Sequence, residues 1–436
     1  MSSKPSVIIL GGVNTCARSL ASYLVPLDGE PLVSHLRIVD KYSVAPPTTY
    51  IGSEFPKVLA KENVEYKQAN LTVPTTVASV FDPPEGREPY SIVFDLTGDT
   101  SIDRPEQIQI NHTANVARII GLEAARRKVK AYVRMQQPLY ECPDKGPRDE
   151  KEDYKPLTSS GIWWHEALRM LGAIEGLNLV IVRIGLVYGP YVNAGLMATV
   201  LTVASVYGYM KRPMKSLWSP GKNPMSTIHV DDVARGLWAC ALWMSELGRA
   251  EADKVAGEII HFRNEKSKVS EVEGMPAAET EIVAPLFNLT DDNDTTLFKA
   301  GDSMCRLFGT KFEFHNFVTS TMFRVTTPPP APRALISTYV FFHQFRLEDV
   351  VEEINEAHVG AWAEMITKSN PPCPNTSLSA YMDVFSLQKH TIAFSNSKIK
   401  RIVGFNLARP TMTQETLLDI VDKWKAEGSW PKLEEE

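Results

Sequence analysis

A glycine turn near the start of the chain is the first feature with the chemistry of a ligand site. The stretch VIILGGVNTCARSL places an apolar run before Gly11 and continues in the spacing G-x-x-N-x-x-A through Asn14 and Ala17. A turn that cradles a phosphate needs small residues where its backbone takes a positive φ, approaches the anion or packs the next helix on its strand. Gly11 and Gly12 meet this need. Asn14 tolerates left-handed geometry, and Ala17 is small. We therefore expect the backbone here, with Cys16 in the first helical turn, to hold the phosphates of a dinucleotide; the alternatives are a relic of such a site and a turn without a ligand.

Polar residues at two later strand ends extend this site. Asp40 ends the apolar stretch LRIVD, where a carboxylate accepts hydrogen bonds from a ribose hydroxyl. Lys41 follows and would pair with the 2′-phosphate of NADP. The expected preference for NAD over NADP is therefore mild. Asn70 and Leu71 follow the third strand, at a place that flanks an adenine. Each of these residues also has an ordinary interpretation as a turn or strand-exit residue.

These residues depend on an alternation of strands and helices over the first 260 residues. Apolar runs separated by helical periods predict a parallel sheet covered on both faces, which is a doubly wound, Rossmann-like α/β fold. The predicted strands are Val7–Leu10, Leu36–Val39, Val64–Tyr66, Ile92–Leu96, Ala131–Met135 and Leu179–Ile184, and the clearest helices are Val116–Lys128 and Trp163–Ile174. Ligands of such sheets lie at the carboxyl ends of the strands. The residues expected to meet there are Gly11, Asp40, Asn70, Leu96, Thr97 and Gln136.

The alternation of strands and helices ends at about residue 265. We predict a Rossmann-like nucleotide-binding domain over residues 1–265 and a smaller, helix-rich substrate cap over residues 266–436, with contributions from 190–225. Glu265–Glu279 is predicted as a loop, Asp291–Asp294 as a solvated turn, and Thr326–Pro332 (TTPPPAP) as a stiff hinge. Helices are predicted over Leu347–His358 and Thr413–Glu427.

Composition excludes several classes of protein. The chain has 436 residues and a net charge of −6, which disfavours a nucleic-acid surface. No apolar run reaches the length of a membrane span, and no signal peptide is recognised. The five cysteines lack a C-x-x-C spacing and the nine histidines lack H-E-x-x-H, so we expect reduced thiols, a cytoplasmic protein and no metal site.

Four segments together resemble a known family. They are GEIIHF, STIHVDDVARGLWACAL, LVIVRIGLVYGP and KVKAYVRMQQPLYE, and they are similar to the extended short-chain dehydrogenase/reductase superfamily, in its NAD-dependent epimerase/dehydratase and 3β-hydroxysteroid dehydrogenase-like branch. SNSKIKRIVGF and the segment after it resemble the end of the same proteins. The resemblance implies a Rossmann fold, an NAD or NADP cofactor and a homodimer that pairs through the helix of Trp163–Ile174.

The chemistry of that family depends on a serine or threonine, a tyrosine and a lysine, and this chain departs from all three. Gln136 stands where the resemblance places the hydroxyl residue, four positions before Tyr140. No lysine occurs between Lys155 and Lys211, and no tyrosine between Tyr154 and Tyr188, so Tyr-x-x-x-Lys cannot be built on the expected helix. Ordinary hydride transfer as this family performs it is therefore not expected.

Other residues near the crevice could supply a proton. His165 (WWHEA) lies on the helix that the family uses for its acid, and its pKa range suits proton transfer near neutral pH; a plain histidine beside Glu166 is the alternative. Asp99, past the fourth strand, would act as a base or contact a ribose, unless it is only a turn residue. Gln136 can hold a carbonyl but cannot exchange a proton, and Tyr140 is either an acid or a packing residue.

Aromatic residues indicate the substrate. Trp163 and Trp164, with Tyr207, Tyr209 and Trp218 downstream, predict an apolar wall. We expect a small-molecule metabolic enzyme of the isomerase, cyclase or lyase kind, acting on a terpenoid, polyketide or sterol-like substrate, with NAD or NADP retained, kept only for structure, or lost. The alternatives are an NAD(P)-dependent oxidoreductase or epimerase with a relocated proton donor, and a non-catalytic binding or scaffold protein.

Overall fold

Strands recur along the chain at the spacing of a parallel sheet. A computed structural model of the protein describes residues 4–315, 347–373 and 376–433. The strands there are β1 Ser6–Leu10, β2 His35–Asp40, β3 Val64–Gln68, β4 Ile92–Asp95, β5 Ala131–Gln136, β6 Tyr140–Glu141, β7 Lys155–Pro156, β8 Leu179–Ile184, β9 Leu186–Tyr188, β10 Met214–Ser216, β11 Thr227–His229, β12 Gly257–Ile259, β13 Val283–Leu289 and β14 Phe312–Phe314.

Helices alternate with these strands. Over the same residues they are α1 Thr15–Leu24, α2 Phe55–Leu59, α3 Pro74–Val80, α4 Glu106–Gln109, α5 Val116–Arg126, α6 Thr158–Gly172, α7 Leu196–Tyr209, α8 Val230–Ala256, α9 Lys268–Glu271, α10 Leu297–Leu307, α11 Leu347–Thr367, α12 Val384–Leu387, α13 Ser397–Val403 and α14 Gln414–Ala426. A π-helical stretch, Ile110–Asn115, joins α4 to α5. No helix of the described ranges has both the length and the apolar character that crossing a membrane requires.

The central sheet has eight strands in the order β12-β13-β8-β5-β4-β1-β2-β3. Every neighbouring pair is parallel except β12 with β13, which is antiparallel. Every residue of β1, β2, β4, β5 and β8 is buried, as expected for parallel strands covered by helices on both faces. The predicted Rossmann-like fold is confirmed. The strand order reverses beside β1, so a crevice opens at the carboxyl ends of β1 and β4.

The sequence predictions of single elements have mixed outcomes. Each predicted strand is present, and the four predicted helices correspond to α5, α6, α11 and α14. The sequence did not reveal β13, which joins the sheet beside β8. The predicted loop after residue 265 contains the short helix α9, and the hinge Thr326–Pro332 lies outside the described residues. The solvated turn was wrong at Asp291, which is buried and accepts a hydrogen bond from Thr227 Oγ1 at 2.7 Å.

The chain divides into two units. The first unit consists of residues 1–187, 226–293 and 392–411, and it contains the whole central sheet. The second unit consists of residues 188–225, 294–391 and 412–436, and it contains α7, α10, α11 and α14. Each unit is therefore built from three separate stretches of sequence.

Candidate functional site

The turn after β1 is shaped by two glycines. Gly11 has φ +75°, and a Cβ atom there would lie 2.7 Å from the carbonyl oxygen of Leu96. Gly12 donates its N–H to Val39 O at 2.9 Å, and its own Cβ would lie 2.3 Å from Ile38 Cγ2. Because larger residues would strike backbone at the first position and a core side chain at the second, only glycine fits this turn unchanged.

Asn14 acts differently from the sequence expectation. Its backbone is extended, with φ −69° and ψ 168°. The ability of asparagine to adopt a left-handed conformation is therefore not used at this position. The residue is the N-cap of α1: its Oδ1 accepts the N–H of Ala17 at 2.9 Å, and its Nδ2 donates to Leu96 O at 3.0 Å. The first backbone hydrogen bond of the helix runs from the N–H of Arg18 to the carbonyl oxygen of Asn14. The amide N–H groups of Thr15 and Cys16, in the first turn of α1, therefore have no acceptor within the helix.

Asp40, at the end of β2, lies beside this turn. Its Oδ2 accepts the N–H of Val13 at 3.1 Å, and its Oδ1 accepts the N–H of Lys41 at 2.7 Å. Burial raises the pKa of this carboxyl, although the backbone hydrogen bonds act in the opposite direction. The backbone N–H of Tyr42 also bonds this carboxyl. A carboxylate has about four lone-pair positions, so it keeps acceptor capacity beyond these bonds.

A cleft of about 350 Å³ opens over these residues within the first unit. The sequence-predicted residues that line it are Gly11, Asn14, Asp40, Lys41, Asn70, Leu71, Leu96, Thr97 and Asp99. Gly12, within the turn, and Cys16 and Ala17, in the first turn of α1, are not part of the lining. Sequence reasoning missed further lining residues from loops, the π-helical stretch and the start of α5, for which no motif gives a signal: Val13, Tyr42, Thr49, Ala69, Thr72, Gly98, Thr100, Ser101, Arg104, His112 and Val116.

A buried ionic network fixes the floor of the cleft. Arg134 donates to Asp95 Oδ2 at 2.9 Å and to the carbonyl oxygen of Thr97 at 2.8 Å. The Thr97 hydroxyl and the Tyr132 hydroxyl both donate to Asp95, each at 2.6 Å. Arg134 and Asp95 are fully buried. Their pairing is therefore needed to satisfy both charges, and it holds the backbone of Thr97 at the edge of the cleft.

Trp164 shapes the same floor from α6. A Cβ atom on Gly98, which has φ +133°, would lie 2.3 Å from Trp164 Cζ2. The indole N–H donates to Asp99 O at 2.9 Å, and the Arg134 guanidinium lies 4.6 Å from the ring centroid. Trp163 and Trp164 are both buried in the first unit. They pack against protein and therefore do not provide the open apolar wall that the sequence suggested.

The candidate proton-transfer residues Gln136, Tyr140 and His165 form one hydrogen-bonded chain. Gln136 Nε2 donates to the Tyr140 hydroxyl at 3.0 Å, and that hydroxyl lies 3.2 Å from His165 Nδ1. His165 Nε2 donates to the carbonyl oxygen of His261 at 2.7 Å, which leaves Nδ1 as the acceptor from Tyr140. None of the three side chains lines the cleft described above.

Burial keeps this chain uncharged near neutral pH. It lowers the pKa of His165 to about 4 and raises that of Tyr140 to about 12. Both ring nitrogens of His165 are also hydrogen-bonded, to Tyr140 and to the His261 carbonyl oxygen.

Asp99, the other candidate proton-transfer residue, lines the cleft. Its Oδ2 lies 4.0 Å from Arg104 Nε.

The outer face of α6 is covered by the segment 260–282 of the same unit. Arg169 donates to the carbonyl oxygens of Ile260, Ala277 and Thr280 at 2.6, 3.0 and 3.1 Å. Glu166 accepts the N–H of Arg263 at 2.6 Å. The helix that the resemblance assigns to dimer formation is thus buried within one chain from Trp163 to Leu171.

The second unit contains a separate cavity of about 360 Å³. Its walls come from α7, α10, α11 and the strands β10 and β14, and most lining side chains are apolar. Tyr207 and Trp218, two of the aromatic residues noted in the sequence, line this cavity. Tyr209 does not line this cavity. Its hydroxyl donates to Glu364 and accepts from Lys368.

Comparisons with known proteins agree with this geometry. Residues 57–251 match the model of the NAD-dependent epimerase/dehydratase family. No curated protein matches the chain. Among solved structures, the Bordetella bronchiseptica enzyme WbmG, in complex with NAD and UDP, is 13% identical, with a TM-score of 0.57 over 98% of this chain and 97% of that one.

Two further structures share the fold. The Bordetella bronchiseptica enzyme WbmF, in complex with NAD+ and UDP, is 16% identical, with a TM-score of 0.51 over 97% of this chain and 93% of its own. A UDP-galactose 4-epimerase is 12% identical, with a TM-score of 0.54 over 98% of this chain and all of its own. The chain therefore shares its fold with these three solved structures.

Proposed function

We propose, from the match of residues 57–251 to the model of the NAD-dependent epimerase/dehydratase family, that the protein binds NAD or NADP in the cleft of the first unit and acts as an enzyme on a small molecule. The observation that carries the proposal is the turn at Gly11, which approaches the backbone of Leu96, directly after β4, so closely that no side chain fits. Three neighbouring strand ends supply the remaining groups.

The cleft residues fit a dinucleotide group by group. The N–H groups in the first turn of α1, which have no acceptor within the helix, would meet the pyrophosphate at the positive end of that helix. Asp40 would accept hydrogen bonds from the adenosine ribose, while Leu71 and Val116 offer apolar contact to an adenine. Lys41 lines the same end and would tolerate a 2′-phosphate. When bound, the nicotinamide supplies a hydride donor or acceptor.

The reaction that we favour is a non-redox isomerisation, cyclisation or elimination on an apolar substrate. Two observations support it. The sequence lacks Tyr-x-x-x-Lys on α6, and the chain of Gln136, Tyr140 and His165 is buried and uncharged. The apolar cavity of the second unit supports the substrate class.

An NAD(P)-dependent oxidoreductase or epimerase is the second candidate, and the family match favours it. A relocated proton donor would then be needed. Asp99 is the best placed of the titratable residues noted in the sequence, because it lines the cleft, whereas Tyr140 and His165 do not and are hydrogen-bonded to each other.

Calorimetric titration with NAD and NADP tests the cofactor. At a concentration of 100 times Kd, binding should stabilise the protein by about 2.7 kcal/mol in thermal unfolding. Asp40→Asn should weaken NAD more than NADP, whereas Asp28→Asn, at an exposed carboxylate that does not line the cleft, serves as the matched control. No binding of either nucleotide at millimolar concentration would refute the proposal.

Nucleotide absorbance separates the two reaction classes. We expect no change in NADH absorbance when the protein is mixed with steroid, terpenoid and aryl alcohols or ketones. Turnover near the common enzyme median of roughly 10 per second would instead establish the redox candidate.

A further inference from the structure

The cavity of the second unit has the composition of a small-molecule pocket. Its volume of about 360 Å³ lies in the range of ligand pockets, which are mainly apolar with a few polar groups. Val200 on α7, Met304 on α10 and Ile354 on α11 contribute apolar surface, and the Trp218 ring adds an aromatic wall. An apolar ligand of matching shape would gain free energy by leaving water.

Among the polar residues of the lining, two form a hydrogen-bonded pair within the cavity. The Tyr207 hydroxyl lies 3.0 Å from His358 Nε2, and the two rings meet edge to face with centroids 5.1 Å apart. A phenol hydroxyl has one donor and two acceptor positions, so the bond to His358 leaves capacity for a ligand oxygen or nitrogen. The pair therefore offers a hydrogen-bonding anchor.

The cavity interior carries no charge near neutral pH. Burial lowers the pKa of His358 to about 4 and raises that of Tyr207. The charged lining residues, Arg212 and Lys215, are both exposed. A buried charge on the ligand would thus have no partner inside, which favours an uncharged molecule.

Hydrogen bonds hold the walls in place. Both polar atoms of the Asn355 amide bind the backbone of Met382, at 2.7 and 2.8 Å. Trp218 Nε1 donates to Leu387 O at 2.8 Å, and His390 Nε2 donates to Phe385 O at 2.6 Å. A cavity with fixed walls binds without first ordering its own side chains.

We infer that this cavity binds an uncharged, predominantly apolar small molecule with one hydrogen-bonding oxygen, and that the Tyr207–His358 pair anchors that oxygen. All of its residues belong to the second unit, so the inference is independent of the cofactor cleft. It deepens the proposed function, which takes its apolar substrate class from this cavity, but its test by ligand binding requires neither turnover nor a bound nucleotide.

Fluorescence of the neutral probe N-phenylnaphthylamine tests the inference on the full chain. We expect a saturable rise in emission that neutral terpenoid and steroid ketones reverse and that UDP does not. Val200→Trp should fill the cavity and weaken probe binding at least about tenfold, a loss of roughly 1.4 kcal/mol. Thr199→Trp is the matched control, since it adds the same ring at the next position of α7, outside the lining.

The hydrogen-bonding anchor has its own test. Tyr207→Phe should weaken a steroid ketone roughly three- to tenfold and leave the corresponding hydrocarbon unaffected. Equal losses for both ligands would overturn the role of the anchor.

Three results would overturn the ligand class: no saturable binding, displacement by UDP at similar concentrations, or unchanged binding in Val200→Trp. Leu196→Trp provides a second plug if Val200→Trp does not fold. Loss of NAD binding together with retained probe binding would refute the proposed function alone.

Discussion

The cleft of the first unit and the cavity of the second are similar in volume but differ in construction. The cleft is formed by backbone at four strand ends, with close approaches such as that of Gly11 to Leu96. The cavity is formed by side chains from helices and loops between residues 196 and 390. Backbone geometry suits a ligand with repeated polar groups, whereas side-chain packing suits an apolar ligand.

This difference determines how each site tolerates substitution. A cleft made of backbone fails when a side chain is added, because backbone cannot move aside without disturbing the sheet. A cavity made of side chains changes its shape and its ligand when one of them is exchanged. The substitutions below test this contrast, from the largest expected effect to the smallest.

Gly11→Ala should have the largest effect. The alanine would require a left-handed conformation and would place a methyl group 2.7 Å from Leu96 O. Together these should lower the free energy of unfolding by about 4 kcal/mol and abolish dinucleotide binding. Urea unfolding measures the first effect and calorimetry the second.

Gly86→Ala is the control for that substitution. Gly86 has the same φ of +75°, but a Cβ atom there meets nothing within 4 Å. Gly86→Ala should lower the free energy of unfolding by only about 1–2 kcal/mol, because the left-handed backbone conformation is then the only source of strain. Equal losses of unfolding free energy in the two variants would show that the close approach of residue 11 to Leu96 does not contribute.

Acid should destabilise both units through buried histidines. Burial lowers the pKa values of His165 and His358 to about 4, from 6.5. Between those pH values the unfolded state binds more protons than the folded state, so the free energy of unfolding falls as the pH is lowered from 6.5 toward 4. The loss should reach about 3 kcal/mol for each histidine.

His165→Gln and His358→Gln isolate the two contributions. Each variant should lose stability less steeply with acid than the parent protein when urea unfolding is followed from pH 7.5 to pH 4.5. The carboxyls of Glu166 and Asp291, whose pKa values burial raises to about 7, act in the opposite direction and are present in both proteins of each comparison. Parallel pH profiles for a variant and its parent would contradict the assignment.

Lys41→Ala should have the smallest effect. Lys41 is exposed at the rim of the cleft, where water screens its charge. We expect NADP to bind about two- to fivefold more weakly and NAD to be unchanged, with exposed Lys57→Ala as the control. A loss for both nucleotides would place Lys41 at a group that they share.

The features predicted from sequence are those that depend on short-range patterns. The strands β1 to β5 and β8 are apolar runs, and residues such as Asp40 and Leu96 follow from their ends. Val283–Leu289 is just as buried, but its run contains Pro285 and Asn288 and follows a charged segment. Its place beside β8 depends on tertiary pairing, which local periodicity does not encode.

The roles of individual residues were harder to predict. Asn14 serves as a cap through its side chain, although its position in the motif pointed to its backbone. His165 had the residue type of an acid–base group, but its neighbours in space, Tyr140 and the His261 carbonyl, come from distant parts of the chain. The cavity of the second unit gathers residues across almost 200 positions, so only its aromatic members were noticed.

The late strand β13 has a consequence for how the protein is made. As synthesis proceeds, β8 emerges more than 100 residues before its neighbour β13, which pairs with it in parallel from Leu286 to Leu289. Until then β8 is an exposed edge whose six residues are all apolar or buried in the finished sheet. Such edges recruit other strands and promote aggregation. Fragments that stop between residues 184 and 289 should therefore precipitate, and recovery of the full chain should depend on chaperones that shield this edge during translation.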